Sequence, residues 1–303
     1  MGITKLADLI RSDAPDAISR KEISDYTGKV IALDTFIIVN QFRAATPRLS
    51  PLLGLFFRTL TLLEHDIKPV FVFDGKPPVE KTAVLEKRAE TAGWSFPNHT
   101  GAASSQTKNC LQLLKLLGVP VIQAPGDAEA LCAQLVREGT VDAVASEDMD
   151  TLPFGANILI RNVNAKKDSE VVEYSLPKLL EKLQISHQET HPVPHFWKYN
   201  EARKIFLGAP QSVTIELAWT EPDEEAIVKF LCDVKHVKEN RVRHRMQTFR
   251  QVRESKREER EKEKATGCSR QTRIKDFFRV TRKRAMHVET SDLSSDRKKP
   301  KLQ

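Results

Sequence analysis

The chain has 303 residues, 40% of them hydrophobic and 29% charged, with a formal charge of +7 and a pI near 9.2. That much apolar side chain can build a real core, and no apolar run approaches the ~20 residues of a membrane-spanning helix. Cys110, Cys132, Cys232 and Cys268 form no C-x-x-C pair, so a zinc ribbon or disulfide frame is excluded in favour of reduced intracellular thiols. The opening MGITKLADLI has no signal-peptide layout, and Leu6 stands where myristoylation wants Ser or Thr.

In chain order, residues 29–34 (KVIALD) read as a short buried strand closed by Asp34. Residues 51–64 (PLLGLFFRTLTLLE) are apolar enough for a mostly buried helix, and residues 69–74 (PVFVFD) form a second strand closed by Asp74. Breakers scattered through residues 79–108 predict a loop or partly helical excursion. A helix over 109–117, a third strand over 119–125, a helix over 127–138 stopped by Gly139, and a fourth strand over 141–146 follow. Further β runs fall at 158–161 and 171–174, and a helix at 175–185. Strands alternating with helices predict an α/β fold, a mostly parallel sheet covered on both faces. Residues 186–200 are polar and proline-punctuated and read as a linker; 201–230 return to helix and turn, 235–264 to a charge-dense helix. From about residue 265 the composition is that of a disordered basic tail.

Acids recur at one structural address. Asp34 and Asp74 each close a strand, Asp127 and Glu129 open the helix after the third, and Asp148 and Asp150 (in SEDMD) follow the fourth. In a parallel α/β sheet, sites form outside the carboxyl ends of the strands. Six carboxylates on one rim repel unless a cation sits among them. Oxygen ligands without His or Cys suit Mg²⁺ or Mn²⁺, and a pair of such ions is the usual machinery of phosphodiester hydrolysis.

At these residues the sequence resembles the flap endonucleases, of the structure-specific 5′ nuclease (XPG-like) family. MGITKLADLI, IALD, VFVFDGKPP, APGDAEA and ASEDMDTLPFG match family motifs in order over residues 1–185, and the match resumes from Pro192. The resemblance implies a PIN-like nuclease core cutting DNA at 5′ flaps or 5′ ends, with two Mg²⁺ per subunit and Mn²⁺ as a substitute. Asp34, Asp74, Asp127 and Glu129 would hold one ion, and Asp148 and Asp150 the other, with Asp127 or Glu129 contributing through water. Lys81 and Arg88, seven residues apart, match the basic pair at the base of the family's helical gateway. Arg58 and Arg161 match positions near the DNA backbone, Gly2 packs by the active site once Met1 is removed, and Asp127 also counts as a DNA contact.

Four departures from the family pattern stand out. Asn40 replaces an aromatic that stacks on a base, and Asp127 replaces the usual Glu, one methylene shorter. The gateway, residues 79–108, is shorter than the family's arch. Between His187 and Pro192 the chain skips the last metal-binding Asp of an LGSDY-type motif and the helix–two-turn–helix that grips duplex DNA; Asp233 is not that ligand.

In the tail, Gln271, Ile274, Phe277 and Phe278 match the box that binds the sliding clamp PCNA, and Arg282–Arg284 and 297–301 are basic clusters suited to nuclear import or DNA contact. The expected layout is an N-terminal nuclease region (1–78), a shortened gateway (79–108), an internal nuclease region (109–185), a linker (186–200), a helical region (201–264) and the tail (265–303). The expected protein is a monomeric nuclear DNA repair and replication nuclease, present in nucleolus and mitochondrion by family analogy. The alternatives are a catalytically impaired DNA- and clamp-binding homolog competing with the active enzyme, and a gene model or splice form lacking an exon.

Overall fold

The computed structural model describes residues 3, 5–45, 50–75, 86–87, 90–91, 105–163, 170–185 and 215–266. Its centre is a seven-stranded sheet in the order β1-β7-β6-β5-β2-β3-β4. The strands are β1 (Ile18–Glu22), β2 (Val30–Asp34), β3 (Lys68–Phe73), β4 (Val121–Gln123), β5 (Ala143–Ala145), β6 (Ile158–Arg161) and β7 (Glu170–Ser175). β4, β3, β2, β5 and β6 run parallel, while β7 and β1 close one edge antiparallel.

Side chains alternate across a strand, and here the two faces carry separate cores. Ile31, Leu33, Phe71 and Phe73 point to one face, under α2 (Thr35–Ala45), α3 (Pro51–Glu64) and α4 (Ser105–Leu116). Ala32, Val70, Val72 and Val144 point to the other, under α5 (Ala128–Arg137). A third cluster joins α1 (Leu6–Asp13) and α6 (Leu176–Leu183) to β6 and β7. The predicted mostly parallel α/β sheet with helices on both faces is what forms. The third and fourth strands are shorter than their apolar runs suggested, and α1, β1 and α2 add elements that the strand-and-helix reading had not drawn.

After β7 and α6 the described chain resumes at Ile215. Thr220 donates its backbone N–H to the Gly118 carbonyl at 2.8 Å, and the Trp219 indole donates to the Pro69 carbonyl at 2.9 Å. This segment therefore runs beside the β3–β4 edge. A short helix α7 (Glu224–Val228) and a wide turn (Lys229–Val234) lead to α8 (Glu239–Thr266). The chain divides into two compact units, 1–254 and 255–303. In the first, α8 packs Val242, Met246 and Phe249 into the core and pairs Arg245 with Glu64. In the second, the described residues carry i,i+4 pairs between Arg257 and Glu261 and between Glu258 and Lys262. Among the described residues no helix is long and apolar enough to cross a membrane.

Candidate active site

The four strands whose ends carry acids, β4, β3, β2 and β5, are consecutive neighbours in the sheet and all parallel. Their carboxyl ends therefore share one rim. Alternation fixes the direction of the first two acids: Asp34 continues the face of Ala32, and Asp74 that of Val72, so both face α5. The start of α5 is tied to them directly, because the Asp74 carboxylate accepts the Ala128 backbone N–H at 2.8 Å. An anion there also gains from the positive end of the helix. Asp127 is the N-cap residue of α5, and its own side chain makes no capping bond.

Gly75 permits this approach. A Cβ at that position would overlap the Ala124 carbonyl oxygen and crowd the Pro125 backbone. Without one, the Gly75 N–H reaches the Gly126 carbonyl at 2.7 Å, and the Gln123 amide bonds the Asp74 carbonyl. The turn bearing Asp127 is thereby locked against the strand end bearing Asp74.

From the other side comes the SEDMD loop. Ser146 Oγ accepts the Asp148 N–H at 3.0 Å, and the Asp148 carboxylate accepts the Asp150 N–H at 3.3 Å, turning the loop into a single 3₁₀ turn. Asp150 is held in turn by the Ile3 backbone N–H at 2.8 Å, which brings the N-terminal segment to the rim. Glu129, Asp148 and Asp150 each offer a carboxylate oxygen within 4.8 Å of the others. Asp34 lies behind them, 3% exposed. Burial above all, then the charges of Asp74 and Asp148, pushes its carboxyl up to about 7, against the partial relief of the Ile37 and Phe36 N–H groups. Beneath the rim the buried Cys132 thiol is pushed well up by desolvation and by Asp34, Glu129 and Asp74 together. A single field of negative charge thus joins Asp34, Asp74, Glu129, Asp148 and Asp150, with Asp127 at its flank. Crowded hard oxygen donors of this kind fit a magnesium-type cation, which removes the mutual repulsion.

Two arginines border the site. Arg58, 7% exposed, donates to Gln41 Oε1 at 3.0 Å and lies 4.9 Å from the Phe42 ring centroid. Burial lowers its pKa to about 10, with Glu147 opposing the shift. Gly54 clears the space, since a Cβ there would run into the Phe42 ring. Arg161 stands over Tyr174 at 5.9 Å and 3.7 Å from Glu147.

Comparison with known proteins matches this arrangement to a family. The XPG N-terminal domain model covers residues 1–93 and the XPG I-region model residues 118–193. A "Probable flap endonuclease 1 homolog" of Danio rerio is 50% identical over an alignment of 349 residues that takes in all of both chains. The chain belongs to the flap endonuclease family. Flap endonuclease 1 of Xiphophorus maculatus is 33% identical across 99% of this chain and 94% of its own. Among solved structures, flap endonuclease-1 from Methanococcus jannaschii superposes with a TM-score of 0.61 at 26% identity, covering 80% of this chain and 98% of that one.

In this flap endonuclease relative Glu129, in the first turn of α5, shares its 4.8 Å cluster with Asp148 and Asp150. The alignment of 349 positions against 303 residues in this chain means that the Danio relative carries residues with no counterpart here. Gly2, Lys81, Arg88, the linker, most of the gateway and the clamp box (Gln271, Ile274, Phe277, Phe278) lie outside the described residues. Sequence reasoning passed over Ser146 and Glu147, whose only signal was membership of the quoted SEDMD run, and the Ile3 N–H, which no sequence pattern reports.

Proposed function

We propose that this flap endonuclease homolog hydrolyses DNA phosphodiesters at 5′ flaps or 5′ ends, using two Mg²⁺ ions that Mn²⁺ can replace. The observation that carries the reading is the Glu129, Asp148 and Asp150 cluster on the rim of four neighbouring parallel strands, with the Asp34 carboxyl feeling the charges of Asp74 and Asp148. Glu129, Asp148 and Asp150 would hold one ion, and Asp34 and Asp74 the other, with Asp127 reaching either through water. When bound, such ions activate a water and stabilise the leaving oxygen. The chain's own groups would orient and neutralise: Arg58 and Arg161 would take phosphates of the DNA backbone, and Lys81 and Arg88 would neutralise the scissile phosphate.

Recruitment would run through the tail, where Ile274, Phe277 and Phe278 would supply an apolar plug for the sliding clamp and Gln271 a hydrogen bond beside it. Work in replication and repair, as a monomer and in the nucleus, goes with this reading. The residues missing relative to the Danio homolog favour a second reading, a weakened or inactive DNA- and clamp-binding protein that competes with the active enzyme. One experiment separates them. Purified protein is incubated with 5′-flap, nicked and single-stranded DNA, with and without Mg²⁺, and clamp capture is measured alongside for Phe277→Ala/Phe278→Ala. Metal-dependent cleavage supports the nuclease; capture without cleavage supports the competitor.

A further inference from the structure

Glu147 stands beside Arg161 and lines a cavity together with Arg58, the two arginines read above as DNA contacts. Its carboxylate accepts the Asn162 N–H at 2.8 Å, stands 3.7 Å from Arg161 Nε, and is the acid whose charge bears on Arg58. It accepts a hydrogen bond from the Nε of neither arginine. The Nε atoms of Arg58 and Arg161 are buried and have no hydrogen-bond partner, and 3.7 Å is too long for a hydrogen bond. A small cavity lined by Arg58, Gln41, Ser146 and Glu147 and by apolar side chains such as Ile38 and Val163 lies here. An idle buried N–H on a charged group is costly, so this arrangement favours the arrival of a better acceptor.

We propose that Glu147 is an internal stand-in for a DNA phosphate, holding Arg58 and Arg161 by charge while DNA is absent and yielding them when a phosphate enters. The inference rests on the DNA-cleaving reading above. A phosphate offers the guanidinium two parallel charge-assisted bonds, which the loose Glu147 contact does not. Displacing Glu147 costs affinity on every substrate and is fully offset only when phosphates reach both arginines, so the carboxylate acts as a selectivity filter. Its position is telling: Glu147 immediately precedes Asp148, and the exchange takes place at the root of the loop that carries Asp148 and Asp150.

The test uses the full chain with Glu147→Gln, which keeps an oxygen for the Asn162 N–H and removes the charge. Equilibrium binding to 5′-flap and to single-stranded DNA is measured across a salt series in metal-free buffer, where no cleavage intervenes. The variant is expected to bind both DNAs more tightly, by about fivefold at low salt, with a salt slope steeper by up to about 0.9. It should also discriminate less between them, and the gain should vanish in Glu147→Gln/Arg161→Ala. Equal or weaker binding with an unchanged slope, at an unchanged melting temperature, overturns the inference and leaves the nuclease reading standing. Failure of the wild-type protein to bind either DNA overturns both. Should Glu147→Gln melt early, Arg161→Gln decides: it must weaken the Glu147→Gln protein more than the wild type, and an equal loss in both overturns the inference.

Discussion

The Asp74 carboxylate accepts the Ala128 backbone N–H at 2.8 Å, so one residue both ends a strand at the acidic rim and starts the helix that delivers Glu129 to it. The two roles separate by substitution. Asp74→Asn keeps an oxygen for the helix N–H and removes the charge, so thermal stability is expected to stay close to wild type while cleavage falls. Asp74→Ala also removes the cap, adding a loss of about 1 kcal/mol. Melting curves beside flap-cleavage rates check the pair.

Gly75→Ala places a methyl group against the Ala124 carbonyl and the Pro125 backbone. The turn must then move away from the strand end, carrying Asp127 and the start of α5 with it. Cleavage is expected to drop by about tenfold or more, the order of loss that follows when reacting groups are misplaced by a fraction of an ångström. Folding should survive, as circular dichroism and a single melting transition would show.

How far the sequence disclosed this site depends on what each residue does. Asp34 and Asp74 were legible because unbroken apolar runs, VIALD and VFVFD, locate strand ends without any knowledge of the rest. β1 escaped notice because ISRKE is a polar edge strand with one partner, β7, and lacks the apolar run that marks a buried strand. The grouping of Glu129 with Asp148 and Asp150 depends on the direction in which α5 leaves the rim, which is set by the Asp74 cap and the Gly75 contact across 54 residues of chain. Pairings over such separations leave no local pattern. The role of Glu147 was hidden for the same reason, since Asn162 and Arg161 reach it only in the folded sheet.

Arg245 forks onto the Glu64 carboxylate, with a second bond of 2.9 Å, and also donates to Thr61 Oγ1 at 3.1 Å. Both side chains are largely buried, at 13% and 5% exposure. Arg245→Ala leaves Glu64 without its fork and is expected to cost about 3 kcal/mol, whereas Arg245→Met/Glu64→Leu should be near neutral. Urea unfolding of the two variants measures the contrast.

Glu173 gathers Lys21 Nζ at 2.7 Å, Tyr26 Oη at 2.6 Å and Ser19 Oγ at 3.4 Å. Burial pushes its carboxyl up, but the Lys21 and Tyr26 hydrogen bonds, the Lys21 charge and Ser19 outweigh it and hold the pKa below the ordinary 4.5. A depressed folded-state pKa stabilises above the unfolded value and loses that contribution as pH falls through the folded value. The stability gap between wild type and Glu173→Gln should therefore be widest near neutral pH and close as the pH drops below 4.5. Denaturation at a series of pH values between neutral and acid tests this.

Asp148 lies at the centre of the account, close to Glu129 and Asp150 and electrostatically coupled to Asp34. The decisive measurement is the rate of 5′-flap cleavage against Mg²⁺ concentration for wild type and Asp148→Asn, with the melting temperature of each taken with and without the metal. Carboxylates assembled around divalent cations predict metal-dependent cleavage that falls by about a hundredfold or more in the variant, ~3 kcal/mol of barrier. They also predict that Mg²⁺ raises the melting temperature of wild type more than that of Asp148→Asn. Cleavage at equal rates in the two proteins, or wild-type cleavage indifferent to a chelator, would contradict the account.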